Sequence, residues 1–445
     1  MTETRRIRII SLLFLVLTCM AEVLVAYCYD RGVKTISSYA SIAVFAFAGI
    51  TLFTGRYRRQ IDLWVGAAFC AWFVISRVLL GETYLEYSYG MLVNLGCAYL
   101  MCFPFARSMQ DGQTKTGLKA AALVFGIGYT ALAWIGIGTV VLGQNLVLPV
   151  LGTRIGIVTE GPVAGRLETG AHPNISALLF FVALSLFIWM TAQKYRRWRI
   201  PVIAFALIGL YTGIALTGSR TAMLQVACFF AGLAFLAVQR MTGKRPWKKI
   251  ALGLLAGAVC AVIVIVSFGW LVEGVLMLRD QLTALAEEAA GADLVKRDWT
   301  ERLDSFGGRM VHYKGIMNLL QEQPKVLLTG ILNSKLVRVL LEYAHGEHAH
   351  NSFLQTLVNV GIPGLLMALF FTVRALWVSF RLIFHKKAAF ADQILAVILL
   401  CFLILTIPES YLFTEYLTAA NMPFFLVFGY ALEAERGLRE SKPSV

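Results

Sequence analysis

The sequence predicts an all-α, polytopic membrane protein with about twelve transmembrane helices. Of its 445 residues, 58% are hydrophobic, and the mean hydropathy of +0.71 exceeds that of a soluble domain of this length. Long apolar runs alternate with short basic connectors. Residues 251–271 are apolar on every side, whereas a large soluble α-protein would need amphipathic stripes. These observations exclude the soluble class.

Each predicted span is long enough to cross ~30 Å of hydrocarbon at ~1.5 Å per residue. The first apolar run follows Arg5, Arg6 and Arg8, and no small-residue cleavage site ends it, so it is interpreted as a span and not as a signal peptide. The predicted spans lie at about 9–28, 36–54, 61–80, 89–106, 119–142, 173–193, 201–217, 221–239, 250–271, 352–378, 392–408 and 418–433.

The distribution of charge predicts the orientation of these spans. The net charge of +14 sits mainly in alternate short connectors, which is typical of membrane topology and does not indicate a nucleic-acid partner. The positive-inside rule then places both termini in the cytoplasm. The eight cysteines lie in or beside apolar segments and form no CxxC pair, so we predict neither disulfides nor a zinc finger.

Two long connectors, at about 143–172 and 272–351, are predicted to be external. The second is large enough for a small helical domain, with helices expected at 276–303, 309–321 and 334–343. In the last of these, Leu336, Val339 and Leu340 could lie on the membrane surface. The predicted domains are spans one to nine (1–271), the external helical loop (272–351), spans ten to twelve (352–435) and a cytoplasmic tail (436–445).

Two arginine motifs fall on the predicted external side. Ser219-Arg220 lies in a very short connector between spans seven and eight, and Gly307-Gly308-Arg309 begins a helix of the external loop, with His312 one turn further on. A guanidinium offers a fixed fork of donors that matches phosphate oxygens, and a helix N-terminus adds backbone N–H groups. The alternatives are an interfacial snorkelling role for Arg220 and a solvated loop position for Arg309.

The connector at 143–172 carries Arg154, Arg166 and, at the entry to span six, Asn174. Arg166 and Asn174 are candidate sugar or phosphate contacts. Capping and turn chemistry at the end of a loop explain them equally well.

Three of the six histidines, His345, His348 and His350, lie within six residues, and Asn351 follows at the mouth of span ten. A histidine of near-neutral pKa can take a proton from an acceptor hydroxyl, while Asn351 could orient it or cap the helix. A metal site and a purely structural role are the alternatives. The spacing matches neither HExxH nor a standard zinc signature.

These motifs give the chain a resemblance to the O-antigen ligase/polymerase superfamily of GT-C type integral-membrane glycosyltransferases. The ligases carry His followed by Asn, Ser or Gln, then nine residues, Gly, two residues, and Gly, Thr or Tyr. Here His350-Asn351 is followed by nine residues and by Gly361-Ile-Pro-Gly364. The turn at Ser219-Arg220, the stretch from Arg166 to Asn174 and the start at Arg309 are also similar. The resemblance covers roughly residues 120–430, and the first four spans are generic.

The resemblance implies a metal-independent transfer that needs no cofactor, in the plasma (inner) membrane of a bacterium, with an external active site. The donor would be a glycan on undecaprenyl pyrophosphate, and the acceptor a glycan, lipid or polymer. Arg220 and Arg309 would bind the pyrophosphate and His350 would be the general base, although His348 and His345 lie close enough to leave the titrating residue open. Ligase and polymerase are both compatible. A lipid-linked-glycan transporter would need charged residues along its spans, and a sensor would need a cytoplasmic output module.

Overall fold

The chain is described by a computed structural model that covers residues 3–27, 61–81, 114–148, 153–159, 164–170, 172–193, 200–241, 246–286, 306–331, 333–346, 348–410, 412–413 and 418–440. Within these ranges the fold is a helical bundle with one small sheet. The helices are α1 Glu3–Tyr27, α2 Ile61–Leu79, α3 Thr116–Val141, α4 Pro173–Thr191, α5 Ile200–Thr217, α6 Arg220–Gln239, α7 Pro246–Ala286, α8 Phe306–Glu322, α9 Val326–Thr329, α10 Asn333–Ala344, α11 Ser352–Phe384, α12 Phe390–Leu405 and α13 Thr418–Glu440.

Ten of the predicted spans coincide with observed helices, while the predicted spans at 36–54 and 89–106 lie outside the described residues. Among the described residues, six helices are long and apolar enough to cross a membrane: α3, α4, α5, α6, α7 and α11. Shorter apolar stretches occur in α1, α2 and α12. The chain is therefore a mainly helical protein of the polytopic type, and the number twelve stays a prediction.

Helix α4 lies at the centre of the bundle, and α7 lies at its edge. Of the α4 span 78% is buried, against 17% of the α7 span. Phe181 of α4 makes edge-on ring contacts with Phe229 of α6 and Phe402 of α12, at centroid distances of 6.0 and 6.2 Å. Leu254 and Val262 of α7 are more than half exposed, as lipid-facing side chains are. Both helices are apolar all round, so only packing distinguishes the central helix from the peripheral one.

The predicted connector at 143–172 contains a three-stranded antiparallel sheet that the sequence did not indicate. Its strands are β1 Leu146–Leu148, β2 Thr153–Ile157 and β3 Leu167–Thr169, in the order β1-β2-β3. The strands are three to five residues long, too short for a readable alternation. Thr169 donates from Oγ1 to Ser176 Oγ of α4 at 2.9 Å. The sheet thereby fixes the chain that leads into α4.

Several predicted boundaries differ from the observed ones. The ninth span does not end at 271, because α7 continues without a break to Ala286, and the rest of the expected helix at 276–303 lies outside the described residues. The tail expected from 436 is helical as far as Glu440, where Arg436 donates from Nε to Glu440 Oε1 at 2.7 Å. Both departures extend a helix beyond the end of its apolar run.

Helices α8 and α10 occur where the external loop was predicted to be helical, but α10 does not use its apolar face as expected. Leu336 and Leu340 are buried against Ile316 and Leu319 of α8 and Val358 of α11. The face predicted to lie on the membrane surface is thus an internal packing face. It joins the loop helices to the first half of α11.

Helix α11 is broken at Gly361, which has φ 75° and ψ −172° inside an otherwise helical segment. The first half, 352–360, follows the cap residue Asn351. Pro363 lies at the start of the second half, 362–384. Proline is well tolerated in a first turn because its missing N–H has no helical partner there. The motif glycine therefore marks a change in backbone direction.

Candidate active site

A buried glutamate joins three separate parts of the chain. Glu409 follows the end of α12 and is 2% exposed. Its Oε1 accepts hydrogen bonds from Asn174 Nδ2 at 3.3 Å, Thr221 Oγ1 at 3.2 Å and Arg309 Nη2 at 3.3 Å. We call these four residues the Glu409 cluster. A buried carboxylate is costly unless it is paired, and here the pairing assembles the starts of α4, α6 and α8.

Arg166 supports this cluster from the loop before α4. Its Nε donates to the Thr217 carbonyl at 2.5 Å, and its Nη2 donates to Asn174 Oδ1 at 2.6 Å. Gly218, at φ 59°, lies against the arginine side chain. Arg166 and Asn174, predicted as substrate contacts or as turn residues, thus form a continuous polar connection from the turn before α6 to Glu409.

The turn at 217–221 presents the N-terminus of α6 to the cluster. Ser219 is the N-cap and is 2% exposed, and its hydroxyl accepts from the Ala222 N–H at 3.5 Å. Arg220 is the first residue of α6 and is half-buried. Its neighbour Thr221 contacts Glu409, so the backbone of Arg220 lies next to the cluster. Ser219, predicted as a substrate contact, has a capping role in this arrangement.

Helix α8 places three side chains of the site on its first turns. The side chain of Arg309 is 27% exposed and pairs with Glu409. His312 contacts the Ala344 carbonyl, and its ring centroid lies 5.2 Å from that of His350. Tyr313 donates from its hydroxyl to the carbonyls of His350 at 3.1 Å and Ile407 at 3.2 Å. The helix thereby connects the arginine to the histidine.

His350 lies at a strained position between α8 and the turn after α12. Its φ of 48° is in the left-handed region, which is uncommon for a residue other than glycine. Asn351 caps α11 by accepting from the N–H groups of Phe353 at 2.9 Å and Leu354 at 3.0 Å, and it donates to the Ile407 carbonyl at 3.0 Å. The predicted capping alternative for Asn351 is therefore observed, and the cap fixes His350 beside the Glu409 cluster.

The imidazole of His350 is held in its neutral form, with one ring nitrogen unbonded among the described residues. Within the part of the chain that the structure describes, its buried Nδ1 has no hydrogen-bond partner. Burial, followed by His312 and Arg309, lowers the pKa of His350 from 6.5 to about 4. The ring is consequently neutral at physiological pH. Buried polar atoms usually have partners, so an unpaired ring nitrogen beside an arginine is a functional signal.

Residues 203–369 match the family model described as O-antigen ligase. This segment therefore resembles an O-antigen ligase domain. The predicted resemblance to the O-antigen ligase/polymerase superfamily is confirmed. The match supports a membrane glycosyltransferase of the ligase or polymerase type, with a lipid-linked glycan and an acceptor as its general substrates. No curated protein matches the chain.

The matched segment contains both predicted pyrophosphate arginines and His350, yet the site extends beyond it. Glu409 and Arg166 lie outside residues 203–369 but bond to Arg309 and to the Thr217 carbonyl within them. Asn174, also outside, bonds to both Glu409 and Arg166. Sequence analysis missed Glu409. The available signal was an acidic residue directly after an apolar run, at the same predicted membrane boundary as the other motifs.

Of the remaining predicted residues, His348 lies close to this site and Arg154 does not. His348 interacts electrostatically with His350 and with His172, a histidine that the sequence motifs did not indicate. Arg154 is exposed on β2, and its described side-chain bond goes to the Ile157 carbonyl of the same strand at 3.5 Å. The structure therefore does not bring Arg154 to the Glu409 cluster. Arg154 is connected to the site through the three-stranded sheet.

The metal alternative gains no support from the described residues. Among them, no group of three or more His, Cys, Asp or Glu side chains is arranged to hold a metal ion. His345, one of the three histidines considered as a ligand set, is exposed and has φ 53°. The chemistry of the described site is that of arginines, amides, the buried carboxylate of Glu409 and a neutral imidazole.

Proposed function

We propose that the protein is a GT-C type glycosyltransferase that moves a glycan from an undecaprenyl-pyrophosphate-linked donor to an acceptor hydroxyl. The observation that carries the proposal is the contact chain from Arg309, through Tyr313, to His350 beside the buried Glu409. A cation for the leaving group, on α8, and a base for the acceptor, just before α11, are thus close enough to interact electrostatically. The spacing from His350-Asn351 to Gly361 and Gly364 favours the ligase over the polymerase reaction.

In the proposed reaction, the arginines stabilise the leaving pyrophosphate. A guanidinium has five N–H donors, so the bond from Arg309 to Glu409 is compatible with a fork to phosphate oxygens. Arg220 and the N–H groups at the start of α6, beside Thr221 of the cluster, add positive potential. Charge that develops on the pyrophosphate is stabilised by preorganised donors, without need of a metal ion.

His350 acts in the proposal as general base. The acceptor oxygen attacks the anomeric carbon of the donor sugar, and its proton passes to a ring nitrogen of His350. The bond from that carbon to the pyrophosphate oxygen breaks, and undecaprenyl pyrophosphate leaves with the electron pair. The site faces the outside of the bacterial plasma membrane, with both termini in the cytoplasm, as the basic connectors predict.

Substitution of either pyrophosphate arginine tests this division of labour. Arg220→Ala and Arg309→Ala are each expected to lower kcat/KM for the lipid-linked donor by about 100-fold or more, as the loss of one preorganised donor to a developing charge does. Transfer by the purified variants, with a defined donor, is the measurement. Arg338→Ala, an exposed arginine of α10, is the matched control and should leave transfer unchanged. Normal transfer by both site variants would contradict the proposal.

The lowered pKa of His350 predicts activity in mildly acidic buffer. Because this pKa falls from 6.5 to about 4, kcat/KM is expected to stay level from neutral pH to about pH 5 and to decline below it. The unfolded chain binds the proton more readily, so His350 also makes the fold less stable as the pH falls from 6.5 towards 4. Thermal unfolding measured at each pH separates the two effects. A decline centred near 6.5 in folded protein would contradict the assignment.

A further inference from the structure

The break in α11 leaves the end of its first half to be capped by other parts of the chain. In an unbroken helix, the carbonyls of residues 358–360 would accept from the N–H groups of residues 362–364. Pro363 has no N–H, and Gly361 has turned the backbone away. Instead, Val358 accepts from the Ile331 N–H and Val360 accepts from Trp72 Nε1, each at 2.8 Å.

The third carbonyl, that of Asn359, is bound by an arginine of α2. Arg77 is 2% exposed and donates from Nη2 to the Asn359 carbonyl and from Nη1 to the Ile331 carbonyl. Its guanidinium also lies 5.0 Å from the ring of Phe73. A positive charge is favourable at the C-terminal end of a helix, and an arginine within an apolar segment requires such partners.

The approach of these backbones depends on two glycines at positive φ. Gly330 has φ 76°, and a Cβ there would lie 2.1 Å from the Asn359 carbonyl oxygen. A Cβ on Gly361 would lie 2.3 Å from the Leu328 carbonyl oxygen. No larger residue fits at either position without moving backbone. The end of the half-helix 352–360 is therefore fixed against 328–331 and α2.

A ladder of amide groups connects this fixed end to His350. Gln355 is 2% exposed, and its Nε2 donates to Asn359 Oδ1 at 3.1 Å. Its Oε1 accepts from the Ala349 N–H at 2.7 Å. Ala349 is fully buried and immediately precedes His350, whose backbone is held at φ 48°. Each step from Arg77 to the strained histidine is thus a contact between buried groups.

We propose that Arg77 and Gln355 are positioning residues, which hold the backbone of His350 in its active orientation through Asn359 and Ala349. This inference rests on the proposed role of His350 as general base. It gives α2 a function in the site, although α2 supplies no residue to the Glu409 cluster. Neither residue touches the reacting atoms, so their effect must pass through the half-helix 352–360.

The test uses the purified full-length variants Gln355→Met and Arg77→Met. Methionine fills a similar volume without hydrogen bonds. Gln355→Met is expected to lower kcat by about 10- to 100-fold, the cost of a misplacement of about 1 Å, with KM changed by no more than about twofold. Peptide-resolved hydrogen exchange should show faster exchange at 348–354, where the Ala349 amide loses its acceptor. Arg77→Met should give the same pattern.

Gln393→Met is the matched control. Gln393 is also a buried glutamine, which donates to the Ile383 carbonyl at 3.0 Å and accepts from Arg240, but it lies at the opposite end of α12 from Glu409. Its substitution should change neither kcat nor exchange at 348–354. If Arg77→Met does not fold, the results for Gln355→Met alone test the positioning inference.

The proposed function and the positioning inference are contradicted by different results. Absence of transfer by the wild-type protein would overturn the proposed function, and hydrogen exchange would then still measure the connection to Ala349. Exchange at 348–354 that is unchanged in Gln355→Met would overturn the positioning inference. So would a kcat within about twofold of the Gln393→Met control, in wild-type protein shown to be active.

Discussion

Replacement of His350 by alanine is expected to lower kcat for glycan transfer by about 10²- to 10⁴-fold, the contribution that a positioned general base makes. The reason lies in the surroundings of the ring. Its pKa is lowered to about 4, so the neutral form is available at physiological pH. Its Nδ1 has no hydrogen-bond partner among the described residues, so that nitrogen is not committed to a structural bond. Single-turnover rates on a defined lipid-linked donor are the measurement.

His345→Ala is the control for this substitution. His345 belongs to the same histidine-rich stretch, but its side chain is exposed. Its removal should leave the rate unchanged, whereas equal losses from both substitutions would indicate that the whole stretch acts together, for instance as a ligand set. Full activity in His350→Ala would eliminate this histidine as the base.

Replacement of Glu409 by alanine is expected to have the second large effect, on both stability and donor use. Breaking a fully buried ion pair costs roughly 3–5 kcal/mol. Because the side chain of Arg309 is 27% exposed, we expect a smaller loss of unfolding free energy, about 2–3 kcal/mol. Asn174 and Thr221 lose the same acceptor. With three elements released, kcat/KM for the donor should fall by about tenfold or more.

A second buried glutamate provides the matched control for Glu409. Glu435 of α13 is 3% exposed and accepts from Arg381 at 2.8 Å and Arg439 at 2.5 Å. It lies outside the Glu409 cluster. Glu435→Ala should therefore destabilise the fold by a comparable amount and leave kcat/KM per folded molecule unchanged. Thermal unfolding and transfer, measured on both variants, separate a specific loss of kcat/KM for the donor from a general loss of stability.

The transmembrane helices and the motif residues could be predicted because their signals are local in sequence. An apolar run of the right length indicates a span, whatever residues pack around it in the folded protein. The interval from His350 to Gly361 and Gly364 is likewise fixed within one segment. The helix starts near Arg220 and Arg309 were readable from their short polar flanks, although α8 begins at Phe306, before Arg309.

The remaining features depend on contacts between distant parts of the chain. Glu409 contacts Asn174, Thr221 and Arg309, which lie far from it in the sequence, and no local sequence pattern links these residues. Arg77 is a single charged residue within an apolar run of the sequence, and only the fold shows that it caps a half-helix 282 positions further along the chain. The same limit applies to α10, whose apolar face packs internally instead of on a membrane surface.

Reconstitution tests the central claim most directly. Purified wild-type protein in liposomes, supplied with an undecaprenyl-pyrophosphate-linked glycan and an acceptor, without ATP and with EDTA, is predicted to join the glycan to the acceptor. Parallel liposomes with His350→Ala are predicted to form little or no product. Movement of the donor across the bilayer without any joined product, or transfer that stops when EDTA removes divalent metal, would contradict the account.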